Sequence, residues 1–112
     1  MKSLNDIDGK ILEIGNKDYT VNIVDGLDSD AGEWGNCQYR KNIIQIDKGL
    51  LNQPAFMLEV VIHEIQHALN ERFELHKEKD EESFTNAQGV AWATVLKRNL
   101  WLAEFIHLAA KG

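Results

Sequence analysis

The stretch that decides the fold is LLNQPAFMLEVVIHEIQHALNERF, residues 50–73. Pro54, the only proline in the chain, suits the first turn of a helix, with Asn52 or Gln53 before it as the cap. Beyond it, Phe56, Met57, Val60, Val61, Ile62, Ile65, Ala68 and Leu69 make the segment apolar nearly all round. That pattern predicts a central, enclosed helix. His63, Glu64 and His67 interrupt it. Residues four apart on a helix lie about 40° apart around the axis, one turn displaced. His63 and His67 can therefore offer both imidazoles to one metal ion. Glu64, rotated about 60° from His67, would stand beside that ion's open position and outside its ligand set.

His-Glu-x-x-His on a helix is the spacing of a hydrolytic zinc site. Zinc held by three protein ligands keeps a fourth position for water and lowers that water's pKa to about 7. Glu64 can then take the proton as the water attacks a carbonyl and return it to the leaving amine. A histidine pair at this spacing also arises as a surface coincidence or a hydrogen-bonded core pair. The neighbours argue against coincidence, because enclosing these polar groups among Val and Ile without partners costs on the order of several kcal/mol.

A third ligand is required. His76 lies in the charged connection ELHKEKDEES (74–83) and His107 near the chain's end; solvent-facing or packed roles suit both better. Glu81 and Glu82 open the next helical segment and are stronger candidates. Glu82 shares a face with Thr85, Gly89, Trp92 and Leu96, and Gly89 would let that face approach the histidine helix closely. Glu81 shares a face with Phe84, Gln88 and Ala91. Close approach favours Glu82 and leaves Glu81 as a helix-start charge or a group behind the ligands.

Around this helix the chain reads as strands first and helices last. KILEIGNKDYTVNIVDGL (10–27) is a hairpin: Ile11 to Ile14 form one run, and Tyr19, Val21 and Ile23 alternate with polar residues. Gly15-Asn16 supply a tight turn. DGLDSDAGEWG (25–35) is a loop by composition, and RKNIIQIDKG (40–49) a strand centred on Ile43 to Ile46. EESFTNAQGVAWATVLKRN (81–99) is a helix with an acidic first turn. Asn99 then caps a last helix, LWLAEFIHLAA (100–110), apolar at Leu100, Ala103, Ile106 and Ala110.

A chain of 112 residues with 44% hydrophobic content suits one domain, residues 1–112, with one core. Its 12 basic against 18 acidic residues give a net charge of −6, the wrong sign for a phosphate backbone, so no nucleic-acid partner is expected. No run has the length of a membrane span, and the first residues lack the apolar core of a signal peptide. One cysteine, Cys37, allows neither an internal disulfide nor a Cys-rich zinc site. A soluble protein of the cytoplasm is the expectation.

GNCQYRKNIIQID (35–47), VVIHEIQHAL (60–69) and EESFTNAQGVAWATVLKRN (81–99) resemble the small metallopeptidase-like proteins widespread in phages and prophages. These are compact relatives of the ImmA/IrrE group of gluzincins. The likeness runs from the first strands to Asn99. It implies an α+β, minimal zincin-like fold: a small, mostly antiparallel N-terminal sheet packed on the His-Glu-x-x-His helix, then two C-terminal helices. It also implies Zn2+ held by His63, His67 and Glu82, with Glu64 as base. The chain departs from such proteins at Gln38, often an acid there, and at Gln88, often an aliphatic.

The expected activity is a zinc-dependent metallopeptidase acting on a peptide or protein substrate. One alternative is a zinc protein without catalysis that works through a protein partner. Another is a small helical binding domain without metal. By analogy with zincins, NIIQID (42–47) could pair with an extended peptide by strand addition, or be an ordinary core strand. Tyr39, Tyr19 and His107 are the candidate donors to an oxyanion. Cys37 reads as a small, partly buried residue, and Trp34, Trp92 and Trp101 as packing residues.

Overall fold

The computed structural model describes residues 1–27 and 33–112. The part of the expected loop between 28 and 32 lies outside the described residues. The architecture is α+β. Four strands, β1 (Ile11–Ile14), β2 (Lys17–Val24), β3 (Gly35–Gln38) and β4 (Ile43–Asp47), form one sheet in the order β1-β2-β4-β3. Three helices follow: α1 (Pro54–Arg72), α2 (Glu81–Arg98) and α3 (Leu100–Lys111). The sheet is mostly antiparallel, β2 and β4 being its parallel pair.

The hairpin forms at its expected turn. Ile14 pairs with Lys17, and Gly15 takes φ +65 between them. A residue with a Cβ pays for that left-handed backbone; Gly15 does not. β3 escapes the sequence because Gly-Asn-Cys-Gln has no apolar alternation. It is held by its pairing to β4, reached through a turn that closes with Asn42 at φ 56. β4 is thus an interior strand, and β3 is the edge beside α1. This settles NIIQID as a core strand and moves any strand-addition edge to Gly35–Gln38.

α1 buries Met57, Val60, Val61, Glu64, Ile65, Ala68 and Leu69, a stripe at three- and four-residue spacing that rests on the sheet and on α3. The helix is therefore not enclosed all round. Ile62, His63 and His67 face outward, and only Glu64 of the three polar residues is buried, at 6% exposure. The expected burial cost falls on Glu64 alone. Leu12, Ile14, Tyr19, Val21, Ile44 and Ile46 from the sheet complete one core with Ala91, Val95, Leu102 and Phe105.

α2 begins where its acidic turn predicts. Asp80 accepts from the Ser83 backbone N–H at 2.8 Å, and that bond holds its carboxyl below the usual carboxylate range. Its inward face carries Gln88, Ala91 and Val95. Gln66 and Gln88 exchange side-chain hydrogen bonds at 2.8 and 2.9 Å, and Trp92 Nε1 donates to Gln66 Oε1 at 2.9 Å. An aliphatic at position 88 would forgo this exchange. The close approach expected at Gly89 does not occur, since a Cβ there would meet open space.

The last helix turns a different face inward than its spacing suggests. Leu102, Phe105 and Ala109 are buried, while Leu100 is 71% exposed. Both stripes are apolar, and the one bearing Phe105 removes more surface from water. Asn99 does not cap α3 with its side chain. It instead accepts from Glu13 N–H at 2.7 Å and donates to Glu13 O and Val95 O, both at 2.8 Å. No helix among the described residues is long and apolar enough to cross a membrane.

Candidate metal centre and cleft

The stripe of α1 places Glu64 against the sheet and leaves His63 and His67 on the rim, one turn apart. Their Nε2 atoms lie 3.2 Å from each other. The rings stand nearly perpendicular, with centroids 4.8 Å apart and an interplanar angle of 82°. Two nitrogens bound at the usual zinc distance in tetrahedral geometry would be separated by about 3.3–3.4 Å. The pair therefore fits two ligand positions of one ion. Without a cation, one Nε2 must donate to the other.

The cleft beside them has two lobes. One, of about 320 Å³, is lined by Glu33, Gly35, Asn36, Cys37, Tyr39, His63, Glu64 and His67. The other, of about 250 Å³, lies toward the start of α1. Gly35 makes the junction possible. A Cβ there would stand 2.9 Å from Val60 Cγ1, 3.1 Å from Gln45 O and 3.1 Å from Glu64 Cγ. Only glycine lets β3 approach α1 this closely, and the lack of regular strand pattern hid that role.

Burial pushes the Glu64 carboxyl above its ordinary range, helped by the nearby charge of Glu33 and opposed by His63 and His67. Burial likewise raises the Cys37 thiol to about 11, so it is un-ionised at neutral pH. Asn36 donates to Glu33 Oε1 at 3.1 Å and to Gln45 Oε1 at 3.0 Å, and Gln38 donates to Gln45 Oε1 at 3.1 Å. Gln38 thus belongs to an amide network.

No family model, no curated protein and no solved structure matches this chain.

Of the expected site residues, the structure brings His63, Glu64 and His67 to one cleft. It does not bring Glu82 there. Glu82 and Glu81 are exposed in the first turn of α2, whose packed face excludes the contact expected through Gly89. His76 lines a separate hollow with Gln66, Asn70, Leu75, Phe84 and Gln88, and His107 is exposed on α3. Among the described residues, no group of three or more His, Cys, Asp or Glu is arranged to hold a metal ion. Glu33 is the carboxylate that the sequence did not single out and that shares a cleft lobe with both histidines. Of the three oxyanion candidates, Tyr39 lines that lobe, whereas Tyr19 is fully buried with an unpartnered hydroxyl.

Proposed function

We propose that the chain is a zinc-dependent metallopeptidase of the gluzincin type, related to the ImmA/IrrE group and working in the cytoplasm of a bacterial or phage-infected cell. The observation that supports this best is the 3.2 Å approach of the His63 and His67 Nε2 atoms beside a buried Glu64. His63 and His67 would hold the ion. A third protein ligand would be Glu33, which shares the cleft lobe, or Glu82, which the family resemblance implies; among the described residues neither stands with the two histidines as a ready-made site. Zinc, when bound, supplies an acidified water and a polarised carbonyl.

The chain's own groups do the rest. Glu64, buried against the sheet beside both histidines, takes the proton of the attacking water. It then delivers the proton to the leaving amine. Tyr39 donates a hydrogen bond to the carbonyl oxygen as negative charge builds there. The outer edge of β3 offers backbone groups to an extended peptide.

A zinc protein without catalysis, acting through a protein partner, is the second reading, favoured by the incomplete ligand set. Zinc content of the wild type, His63→Ala, His67→Ala, Glu33→Gln and Glu82→Gln separates the ligands. Peptide cleavage abolished by Glu64→Gln, with zinc retained, supports hydrolysis. Equal cleavage by both proteins removes it.

A further inference from the structure

We infer that the second lobe of the cleft is a subsite for a basic side chain, Lys or Arg, flanking the bond to be cut; this rests on the peptidase reading. The lobe is lined by Trp34, Phe56, Val60 and Glu59, and it shares Gly35, His63 and Glu64 with the first lobe. At about 250 Å³ it is below the size of small-molecule pockets, roughly 300–1,000 Å³, and suits one long side chain. Trp34 and Phe56 meet edge to face, with centroids 5.6 Å apart and an angle of 72°. They give the lobe two aromatic walls in different orientations.

Glu59 stands on the same helix four residues before His63. It is exposed, and it is in no ion pair among the described residues. Among the described residues no Lys or Arg lines either lobe, whereas Glu33, Glu59 and Glu64 do.

The chemistry of the walls selects the occupant. A Lys or Arg stem lays its methylenes on apolar surface while keeping its charge outside. Its cationic head is attracted to aromatic faces and can pair with the Glu59 carboxylate. A leucine or phenylalanine would use the walls alone. A glutamate would meet the like charges of Glu59 and Glu64. Basic residues are therefore preferred over aliphatic ones by about tenfold, the combined effect of a partly exposed cation–π contact and an exposed ion pair.

The test uses the zinc-loaded full chain and a randomised peptide library, with cleavage products read by mass spectrometry. Lys and Arg should be enriched at one position flanking the cut. Glu59→Lys should shift that position toward acidic residues, and Trp34→Leu should flatten the preference, with zinc content unchanged in both. Binding of fluorescein-labelled Lys-, Leu- and Glu-rich peptides to Glu64→Gln gives a readout independent of turnover, with Glu78→Gln added as a control for general charge. Cleavage without positional preference overturns the subsite and leaves the hydrolase intact. Lys-peptide binding lost with Glu59→Lys, but without cleavage by the wild type, supports the subsite and removes the hydrolase. Equal weakening by Glu59→Gln and Glu78→Gln means diffuse attraction and overturns the subsite.

Discussion

Gly35→Ala should harm the cleft more than the fold. The added methyl would lie 3.1 Å from Glu64 Cγ, 3.1 Å from Gln45 O and 2.9 Å from Val60 Cγ1. Carbon pairs settle at about 3.5–4.0 Å, so Glu64 must yield by about 0.4–0.9 Å. Gln45 O is backbone of the interior strand β4, and valine in a helix has essentially one χ1 rotamer. Glu64 can swing away from its own contact, whereas the shorter one, with Val60 Cγ1, is relieved only by a small shift of β3 away from α1. Overpacking costs about 1–3 kcal/mol, offset by roughly 0.5–1 kcal/mol because alanine suits an ordered strand better than glycine. The net loss is about 1 kcal/mol, or a Tm lower by about 4 °C. On the peptidase reading, displacing Glu64 by about 1 Å costs on the order of 100-fold in rate, so cleavage should fall by about ten- to a hundredfold. Thermal unfolding by circular dichroism and library cleavage measure the two effects. An unchanged Tm with full cleavage would refute the close packing of β3 on α1. A lowered Tm with full cleavage would show that Glu64 is not what yields.

Three further changes probe the frame. Asn99→Ala removes a side chain with 4% exposure that ties β1 to the α2–α3 joint, leaving Glu13 and Val95 backbone groups unpaired; a loss of about 2–3 kcal/mol in urea unfolding is expected. Gly15→Ala forces alanine to φ +65 and drives a methyl into the Arg72 guanidinium, which hydrogen-bonds Asn16; about 1–2 kcal/mol should be lost. In metal-free protein, the Cys37 thiol near 11 should alkylate on the order of 100-fold more slowly at pH 8 than an ordinary thiol of pKa about 8.5. Its labelling rate should climb until about pH 11, and an ordinary rate at pH 8 would contradict the burial.

What the sequence disclosed was what repeats along one element. The hairpin of Ile11–Ile14 with Tyr19, Val21 and Ile23, the Pro54 start of α1 and the acidic opening of α2 all follow from local pattern and capping. What it hid depends on the partner. β3 has no strand signature because its pairing with β4 and the absence of a Cβ at Gly35 make it a strand. The inward face of α3 escapes the sequence because two apolar stripes compete, and only the packed core decides that Phe105 goes inside. Gly89 invited a close approach, but the Gln66–Gln88 pair sets the contact between α1 and α2. His63 and His67 were legible because both sit on one helix. Glu33, which shares their cleft lobe from the irregular segment before β3, was not.

The placing of Glu64 gives the last test. It occupies a position in the buried stripe of α1 whose other members are Met57, Val60, Val61, Ile65, Ala68 and Leu69, and no hydrogen bond repays its desolvation among the described residues. Its pKa is raised in the folded chain. The folded state therefore holds the proton more tightly than the unfolded state, and deprotonation costs stability. That cost is absent below the unfolded value of about 4.3 and grows as pH rises through the folded value. Metal-free Glu64→Gln, nearly the same in shape and without charge, should then be more stable than the wild type at pH 7. The difference should shrink toward zero as pH falls below about 4. Urea unfolding of both proteins across this range measures it. A group retained against the stability of its own core is expected where chemistry needs it. A Glu64→Gln chain less stable at pH 7 would instead make this carboxylate part of the scaffold, and the case for it as a base would lose its physical ground.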